Sequence, residues 1–426
     1  MTAIVGVLNK HAVAIAADSA VTMGNTHKVI NSGNKIFTLS KFQPVGIMTY
    51  SSADFMGTPW EIIIKLYRKS LRDEVKDNLE DYVSHFIKFV KSQSYLTEDK
   101  TQHLELYWQF QSYYDLCVGK AFKKAMTEGI RFDPSSEETF KLVKKTILEL
   151  DVEIKSKRIC KDFQDYTFKD FKTYSDKDLN RFYTDNRNQV KLPEAERPFF
   201  EEMFYDYLRA ETAFSAFTGL VFTGYGDNDI FPVLVPIKIS SFVDNRLKYF
   251  VEEDEICKIG VDANSCIAPF AQDDVINTIM GGMYPGFNEI IETVVRRSVM
   301  SYTSNIIKLI GTEVVNKPIV EKLSKVDYNA IINRMNDSIN KTMYDNYTDQ
   351  LLRTVNNLGI EDMANMAESF ISLTSLIRRM SPHEETVGGP VDDAVISKGD
   401  GFIWINRKHY FKPEYNNHFF ENYFRF

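Results

Sequence analysis

The chain has 426 residues, with 51 Lys and Arg against 59 Asp and Glu, and a net charge of −8 at neutral pH. This acidic balance argues against a nucleic-acid binder, which would carry a basic stripe. Hydrophobic residues make up 44% of the chain and charged residues 26%, as in an ordinary globular protein. The length allows two or three domains, or one domain with large insertions.

The sequence also sets expectations for the compartment. No apolar run approaches the ~20 residues of a membrane span, and the N-terminus lacks the basic leader of a signal peptide. The four cysteines, Cys117, Cys160, Cys257 and Cys266, have no paired spacing for zinc or redox chemistry. We therefore expect idle, buried thiols in a cytoplasmic protein that does not contact membrane.

The first predicted element is a β-hairpin. Residues 2–9 and 12–18 are apolar and rich in β-branched residues, and Lys10-His11 between them provides the short polar break that a tight hairpin needs. Turn formers follow at residues 22–25, and residues 34–37 enter another strand. One interpretation is purely structural: a buried β-hairpin that ends in an aspartate.

A chemical interpretation starts from Thr2, which becomes N-terminal if Met1 is removed. An N-terminal threonine joins a hydroxyl nucleophile to its own base, the α-amine, whose pKa is near ~7.7–8.0. A neighbouring cation would favour the neutral, basic amine, and Lys35 is the candidate. Asp18 is the candidate carboxylate that balances the buried charge.

Together these residues resemble the mature N-terminus of proteasome β subunits and of the related bacterial ring protease, which are N-terminal nucleophile (Ntn) hydrolases. The resemblance lies in Thr-x-Ile-Val-Gly-Val, Ala-Ala-Asp-Ser, Met-Gly-Asn-Thr and Lys-Ile, in this order. It implies that Thr2 is the nucleophile, its amine the general base, and Asp18 with Lys35 the supporting charge pair. The interval from Asp18 to Lys35 is one residue longer than we expect of the family.

Further site residues follow from the same resemblance. The next predicted strand, residues 44–50, brings Tyr50 to the position where the family usually has a glycine whose backbone N–H binds the oxyanion. The resemblance implies that substrate is contacted by Ser19, Ala20, Thr22 and Met48. A core methionine is the alternative for Met48.

Two stretches depart from the family. Residues 54–217 are predicted to be mostly helical and form an insertion of well over a hundred residues, and a second helical block runs from Phe287 to Met380. Strands return at 219–225, 231–240 and 247–252. The family's Gly-Ser-Gly turn, whose serine contacts the nucleophile's amine, is absent near residues 259–283, and Ser265 is a weak substitute.

The resemblance resumes near the C-terminus, at residues 384–389 and in the two strands that follow. Glu384 stands where the family has an aspartate and Val387 where it has a serine, with Thr386 as a weak replacement for the lost hydroxyl. The Gly388-Gly389 pair is kept. The aromatic residues of the tail are expected to pack on the protein itself or on a neighbouring subunit.

The predicted fold is α+β, a four-layer αββα sandwich of the Ntn type with two large helical insertions. The predicted domains are a sandwich core at 1–53, 218–286 and 381–406, a helical insertion at 54–217, a helical layer with insertion at 287–380, and a tail at 407–426.

The predicted activity is that of a threonine-type peptidase that needs no cofactor or metal. The resemblance implies a peptide or unfolded protein as substrate, a homo-oligomer in the form of a ring, and an unfoldase as partner. Two alternatives stay open: an Ntn hydrolase of a non-peptide amide, and a catalytically silent scaffold whose helical insertions bind a partner.

Overall fold

The structure is a computed structural model. It describes residues 2–23, 28–185, 190–310, 317–324, 327–381, 387–418 and 421. In this part of the chain the fold is mixed, with antiparallel sheets and many helices. The four-layer αββα arrangement and the domain boundaries stay predictions.

The strands, in chain order, are β1 (Ala3–Asn9), β2 (Ala12–Ala17), β3 (Val21–Met23), β4 (Lys28–Ile30), β5 (Ile36–Thr38), β6 (Val45–Ser51), β7 (Asp54–Phe55), β8 (Thr58–Pro59), β9 (Thr218–Gly224), β10 (Val233–Val243), β11 (Arg246–Val251), β12 (Cys257–Lys258), β13 (Ser265–Ala271), β14 (Asp392–Ser397) and β15 (Gly401–Asn406).

The helices are α1 (Trp60–Leu71), α2 (Leu79–Ser92), α3 (Asp99–Glu128), α4 (Glu137–Lys155), α5 (Phe168–Thr184), α6 (Arg197–Arg209), α7 (Asp274–Gly281), α8 (Phe287–Ile310), α9 (Lys317–Ser324), α10 (Tyr328–Met343), α11 (Asp349–Asn356) and α12 (Ile360–Met380). A π-helical turn at Tyr344–Thr348 joins α10 to α11.

Two larger sheets carry most of the strands. One has the order β13-β1-β2-β14-β15, and the other has the order β11-β10-β9-β6-β5 with β12 paired to β10. The β1–β2, β1–β13, β5–β6 and β6–β9 pairs are all antiparallel. By contacts the chain divides into two compact units, unit 1 with Met1–Ser32, Ile259–Ala394 and Ile405–Phe426, and unit 2 with Gly33–Lys258 and Val395–Trp404.

Unit 1 is built on the β1–β2 hairpin, whose residues are almost all buried. Asn9 sets the turn, because its Oδ1 accepts the backbone N–H groups of His11 at 2.9 Å and Ala12 at 3.4 Å. Helix α12 packs across β1 and β2 through a face that includes Ala367, Phe370 and Ile371. Burial of these apolar side chains is what holds the hairpin in place.

Unit 2 contains two hydrophobic clusters. In the first, α1 and α2 cover one face of β6 and β9 and bury Trp60, Tyr67 and Phe86. In the second, α3 to α6 pack against one another around a dense group of aromatic rings that includes Phe110, Phe200 and Phe204. The large insertion thus has a hydrophobic core of its own.

Several local predictions can be compared with these elements. The hairpin with its break at Lys10-His11 is confirmed, and α8 begins at Phe287 and α12 ends at Met380, as predicted for the second helical block. The prediction of idle, buried thiols holds for Cys117 and Cys160, which are buried free thiols, but it was wrong for Cys257 and Cys266, which are not free thiols.

Candidate functional site

Thr2 lies immediately before β1 and is 5% exposed. Its carbonyl oxygen accepts the backbone N–H of Gln272 at 3.0 Å, just beyond the end of β13. The next residue, Ala3, exchanges two hydrogen bonds with Asp18. The Ala3 N–H donates to Asp18 Oδ1 at 2.9 Å, and the Asp18 N–H donates to the Ala3 carbonyl at 3.1 Å. The backbone around Thr2 is therefore held from both sides.

Asp18 is the centre of this arrangement. Its carboxylate is 1% exposed and accepts three backbone N–H groups, from Ala3 at 2.9 Å, from Ala20 at 3.0 Å and from Gly388 at 3.2 Å. A buried carboxylate must be hydrogen-bonded to offset the loss of water, and three N–H donors satisfy this need. The carboxylate joins segments that are 370 residues apart in sequence.

Ser19 fastens the same C-terminal segment. Its backbone N–H donates to the Gly388 carbonyl at 3.0 Å, and its hydroxyl donates to the Pro390 carbonyl. Between these two contacts, Gly389 has a φ of +76°, and a Cβ at this position would lie 2.8 Å from Asn31 Cβ and 3.3 Å from Ser19 Cβ. Glycine is needed here both for the backbone angle and for the close approach.

The substrate-contact prediction for Ser19 and Ala20 does not fit these contacts. Both residues are fully buried. The N–H and hydroxyl of Ser19 are already used within unit 1, and the Ala20 N–H is bound to Asp18. Thr22 lies in β3. Glu384 and Thr386 lie outside the residues that the structure describes.

The suggestion that Ser265 replaces the family's serine was wrong. In the β1–β13 register, Ser265 is opposite Asn9 while Ala271 is opposite Ala3. Six residues of strand separate these ends, about 20 Å at ~3.4 Å per residue. The Ser265 hydroxyl instead donates to the Leu352 carbonyl at 2.7 Å.

Gln272 is the residue at Thr2 that sequence reasoning missed. It follows Ala271, whose φ of +68° turns the chain at the end of β13 toward α7. No local sequence motif identifies Gln272. Its position beside Thr2 follows from the register of β1 with β13, two strands that are more than 250 residues apart in sequence.

Three of the predicted residues belong to unit 2 and lie on its β5–β6 hairpin. Lys35 is 5% exposed and directly precedes β5, where its carbonyl accepts the Thr49 N–H at 2.9 Å. Met48 is fully buried and pairs with Ile36 on one side and Val221 on the other. A lysine buried to this extent is costly unless it is engaged, which makes Lys35 a functional candidate.

The prediction that the Tyr50 N–H binds an oxyanion conflicts with the sheet. Successive N–H groups of a strand point to opposite edges, and the Thr49 N–H points to Lys35 on the β5 side. The Tyr50 N–H is therefore directed toward Gly219 of β9, its partner in the register. The Tyr50 ring also lies over Gly219 and its hydroxyl reaches Glu252 at 3.4 Å. Matching a motif by position does not show which edge of a strand an N–H faces.

Among the described residues, no three His, Cys, Asp or Glu side chains are grouped so that they could hold a metal ion. None of the helices in those ranges combines the length and apolar character that crossing a bilayer requires.

Comparisons with known proteins add little. No family model matches the chain, and no curated protein does either. Among solved structures, the chain is similar to a Gly-1 mutant of Anbu from Hyphomicrobium sp. strain MC1, with 7% sequence identity over 99% of this chain and 94% of that one, at a TM-score of 0.27. A TM-score this low does not support an assignment of fold or activity.

Proposed function

We propose that the chain is a threonine-type amide hydrolase that cleaves peptide bonds, with Thr2 as its nucleophile after removal of Met1. The observation that carries the proposal is the binding of the buried Asp18 carboxylate by the N–H groups of Ala3, Ala20 and Gly388. It ties together, within unit 1, three of the sequence segments on which the resemblance to Ntn hydrolases rests.

The electrostatics of Asp18 fit this role. The buried Asp18 carboxylate accepts three backbone N–H groups, and a carboxylate attracts a nearby cation. The residue it holds, Ala3, directly follows Thr2. The ordinary pKa of a free α-amine is ~7.7–8.0, so an amine on Thr2 could accept and return a proton during turnover.

The proposed reaction has two halves. The Thr2 hydroxyl oxygen attacks the amide carbon while its proton passes through a water to the Thr2 amine. The tetrahedral intermediate collapses, the C–N bond breaks, and the amine returns the proton to the leaving nitrogen. Water then hydrolyses the resulting ester on Thr2, which yields a carboxylic acid and restores the hydroxyl.

Lys35 completes the proposal as the cation that lowers the proton affinity of the amine. The oxyanion donor must differ from the predicted one, because the Tyr50 N–H faces β9. The following residue, Ser51, is exposed, has a φ of +70°, and precedes Ser52, whose N–H returns to the β9 side at Phe217. By the alternation of the strand, the Ser51 N–H faces the other edge of β6.

The experiment that tests this function compares wild type with Thr2→Ala and Thr2→Ser on a panel of fluorogenic peptide amides. Thr2→Ala should lose at least ~1,000-fold in kcat, because the nucleophile is gone, whereas Thr2→Ser should retain measurable turnover. Equal turnover by wild type and Thr2→Ala would contradict the proposal. Turnover of small non-peptide amides alone, with the same dependence on Thr2, would assign the chain to the non-peptide alternative.

A further inference from the structure

The segment Val387–Pro390 is linked to the hairpin that carries Thr2 through Asp18 and Ser19. The Gly388 N–H binds Asp18 at 3.2 Å, while the Gly388 carbonyl accepts the Ser19 N–H at 3.0 Å. The segment is therefore attached to two consecutive residues of the loop after β2. Val387 and Gly388 are buried there, and Gly389 and Pro390 are exposed.

The backbone contact at Ser19 would exist with any residue other than proline at this position. The hydroxyl adds something specific. It donates to the Pro390 carbonyl and is the side-chain contact that holds the segment beyond the positive-φ Gly389. Ser19 itself is fully buried, so its hydroxyl needs a hydrogen-bond partner within the protein, and the Pro390 carbonyl supplies it.

We propose that Ser19 is a positioning residue of this site, whose hydroxyl seats Gly388–Pro390 so that the Gly388 N–H stays on the Asp18 carboxylate. This inference rests on the proposed function of Thr2. Ser19 does not touch the reacting atoms. It acts through Asp18, which in turn holds the residue after the nucleophile.

Ser265 provides a matched control within unit 1. Its hydroxyl also donates to a backbone carbonyl, that of Leu352 at 2.7 Å, but at the far end of β1 from Thr2. Ser19→Ala and Ser265→Ala therefore each remove one hydroxyl-to-carbonyl hydrogen bond and leave the backbone N–H in place. If the two variants behave differently, the cause is the location of the lost hydroxyl, because both variants lose the same kind of hydrogen bond.

The first measurement is amide hydrogen exchange in the full-length protein, well below the melting temperatures of both variants. The Gly388 amide should exchange at least tenfold faster in Ser19→Ala than in wild type, and at the wild-type rate in Ser265→Ala. Unchanged exchange at Gly388 in Ser19→Ala would overturn the proposal. If Ser19→Ala does not fold, Ser19→Thr replaces it, because this variant keeps a hydroxyl. The Gly388 amide of Ser19→Thr should exchange at the wild-type rate. Faster exchange of that amide would count against the proposal.

The second measurement is the labelling of Thr2 by a peptide epoxyketone. Ser19→Ala should lower the maximal rate of labelling about tenfold without changing the concentration needed for half that rate, and Ser265→Ala should change neither. Equal labelling of the two variants would overturn the role of Ser19 in the reaction. A wild-type protein that is not labelled would overturn the proposed function, while the exchange result would still decide whether Ser19 holds the segment.

Discussion

At the scale of single residues, the Asp18 carboxylate tests the site most simply. In Asp18→Asn, one oxygen becomes an NH₂ group, which cannot accept the N–H groups of Ala3 or of Ala20 and Gly388. We expect a loss of about 1–3 kcal/mol in the free energy of unfolding, from the unpaired buried donor, and at least a tenfold loss of turnover. Chemical denaturation and peptide hydrolysis measure the two effects.

The exposed Asp262 is the control for that substitution, because it lies in the same unit. Asp262→Asn should leave both the free energy of unfolding and the turnover unchanged. If Asp18→Asn behaved like Asp262→Asn, the three hydrogen bonds would have no role in the site.

Lys248 is expected to contribute to the free energy of unfolding and to have no part in the proposed reaction. It is fully buried in unit 2, and its Nζ donates to the carbonyls of Tyr207 at 3.0 Å, Leu208 at 2.8 Å and Ala210 at 2.7 Å. These are carbonyls at the C-terminal end of α6, which lack donors within the helix. Lys248→Met should therefore lower the free energy of unfolding by at least about 1–3 kcal/mol at pH 7, as measured by denaturation.

The same lysine gives a pH dependence with a definite sign. Burial lowers the Lys248 pKa from 10.5 to about 8. Between these two values the folded protein binds fewer protons at this site than the unfolded chain, so stability rises with pH. The free energy of unfolding of wild type, minus that of Lys248→Met, should increase from pH 8 to pH 10.5, by at most about 1.4 kcal/mol per pH unit. A difference that stays flat or falls over this range would contradict the assignment.

At the scale of elements, the loop from Gly388 to Pro390 can be tested with a pair of glycines. Gly389 and Gly401 have almost the same φ, +76° and +77°. A Cβ at Gly389 would crowd Asn31 and Ser19, whereas a Cβ at Gly401 would meet nothing within 4 Å. Both alanine variants bear the cost of a left-handed backbone, roughly 1–2 kcal/mol, and only Gly389→Ala bears the clash as well.

We therefore expect Gly389→Ala to be the less stable of the two and to show slower Thr2 labelling, while Gly401→Ala keeps the wild-type labelling rate. Thermal denaturation and epoxyketone labelling provide the comparison. Equal losses in both variants would mean that the contact between Gly389 and Ser19 does not matter to the site.

The elements also show where sequence reasoning succeeds. The β1–β2 hairpin is specified locally, by Asn9 at the turn. Periodicity and turn residues are sufficient for such features. The second helical block was also predicted, but the π-helical turn at Tyr344–Thr348 within it has no signal that we recognise in the sequence.

Non-local geometry explains the errors. Ser265 was chosen for its residue type, yet its distance from Thr2 is set by the β1–β13 register. Tyr50 was chosen by its offset from a motif, yet the direction of its N–H is set by which neighbour β6 has on each edge. Asp18 was singled out from the sequence, but its contact with Gly388 was not predicted, because it depends on a segment 370 residues away.

At the scale of the whole molecule, the two compact units divide the predicted site residues. Unit 1 holds Thr2 and Asp18, and unit 2 holds Lys35 and Tyr50. The proposed function depends first on Thr2, whose neighbouring contacts all lie in unit 1. Lys35 is a proposed partner of Thr2 in catalysis. Measuring the chemistry of Thr2 itself is therefore more decisive than any single supporting substitution.

The most direct measurement is mass spectrometry of the full chain after treatment with a peptide epoxyketone, followed by tryptic digestion. We predict an N-terminal peptide that begins at Thr2, ends at Lys10 and carries the adduct on Thr2, and no adduct in Thr2→Ala. A chain that retains Met1 and still hydrolyses peptides, or one labelled equally with and without Thr2, would contradict it.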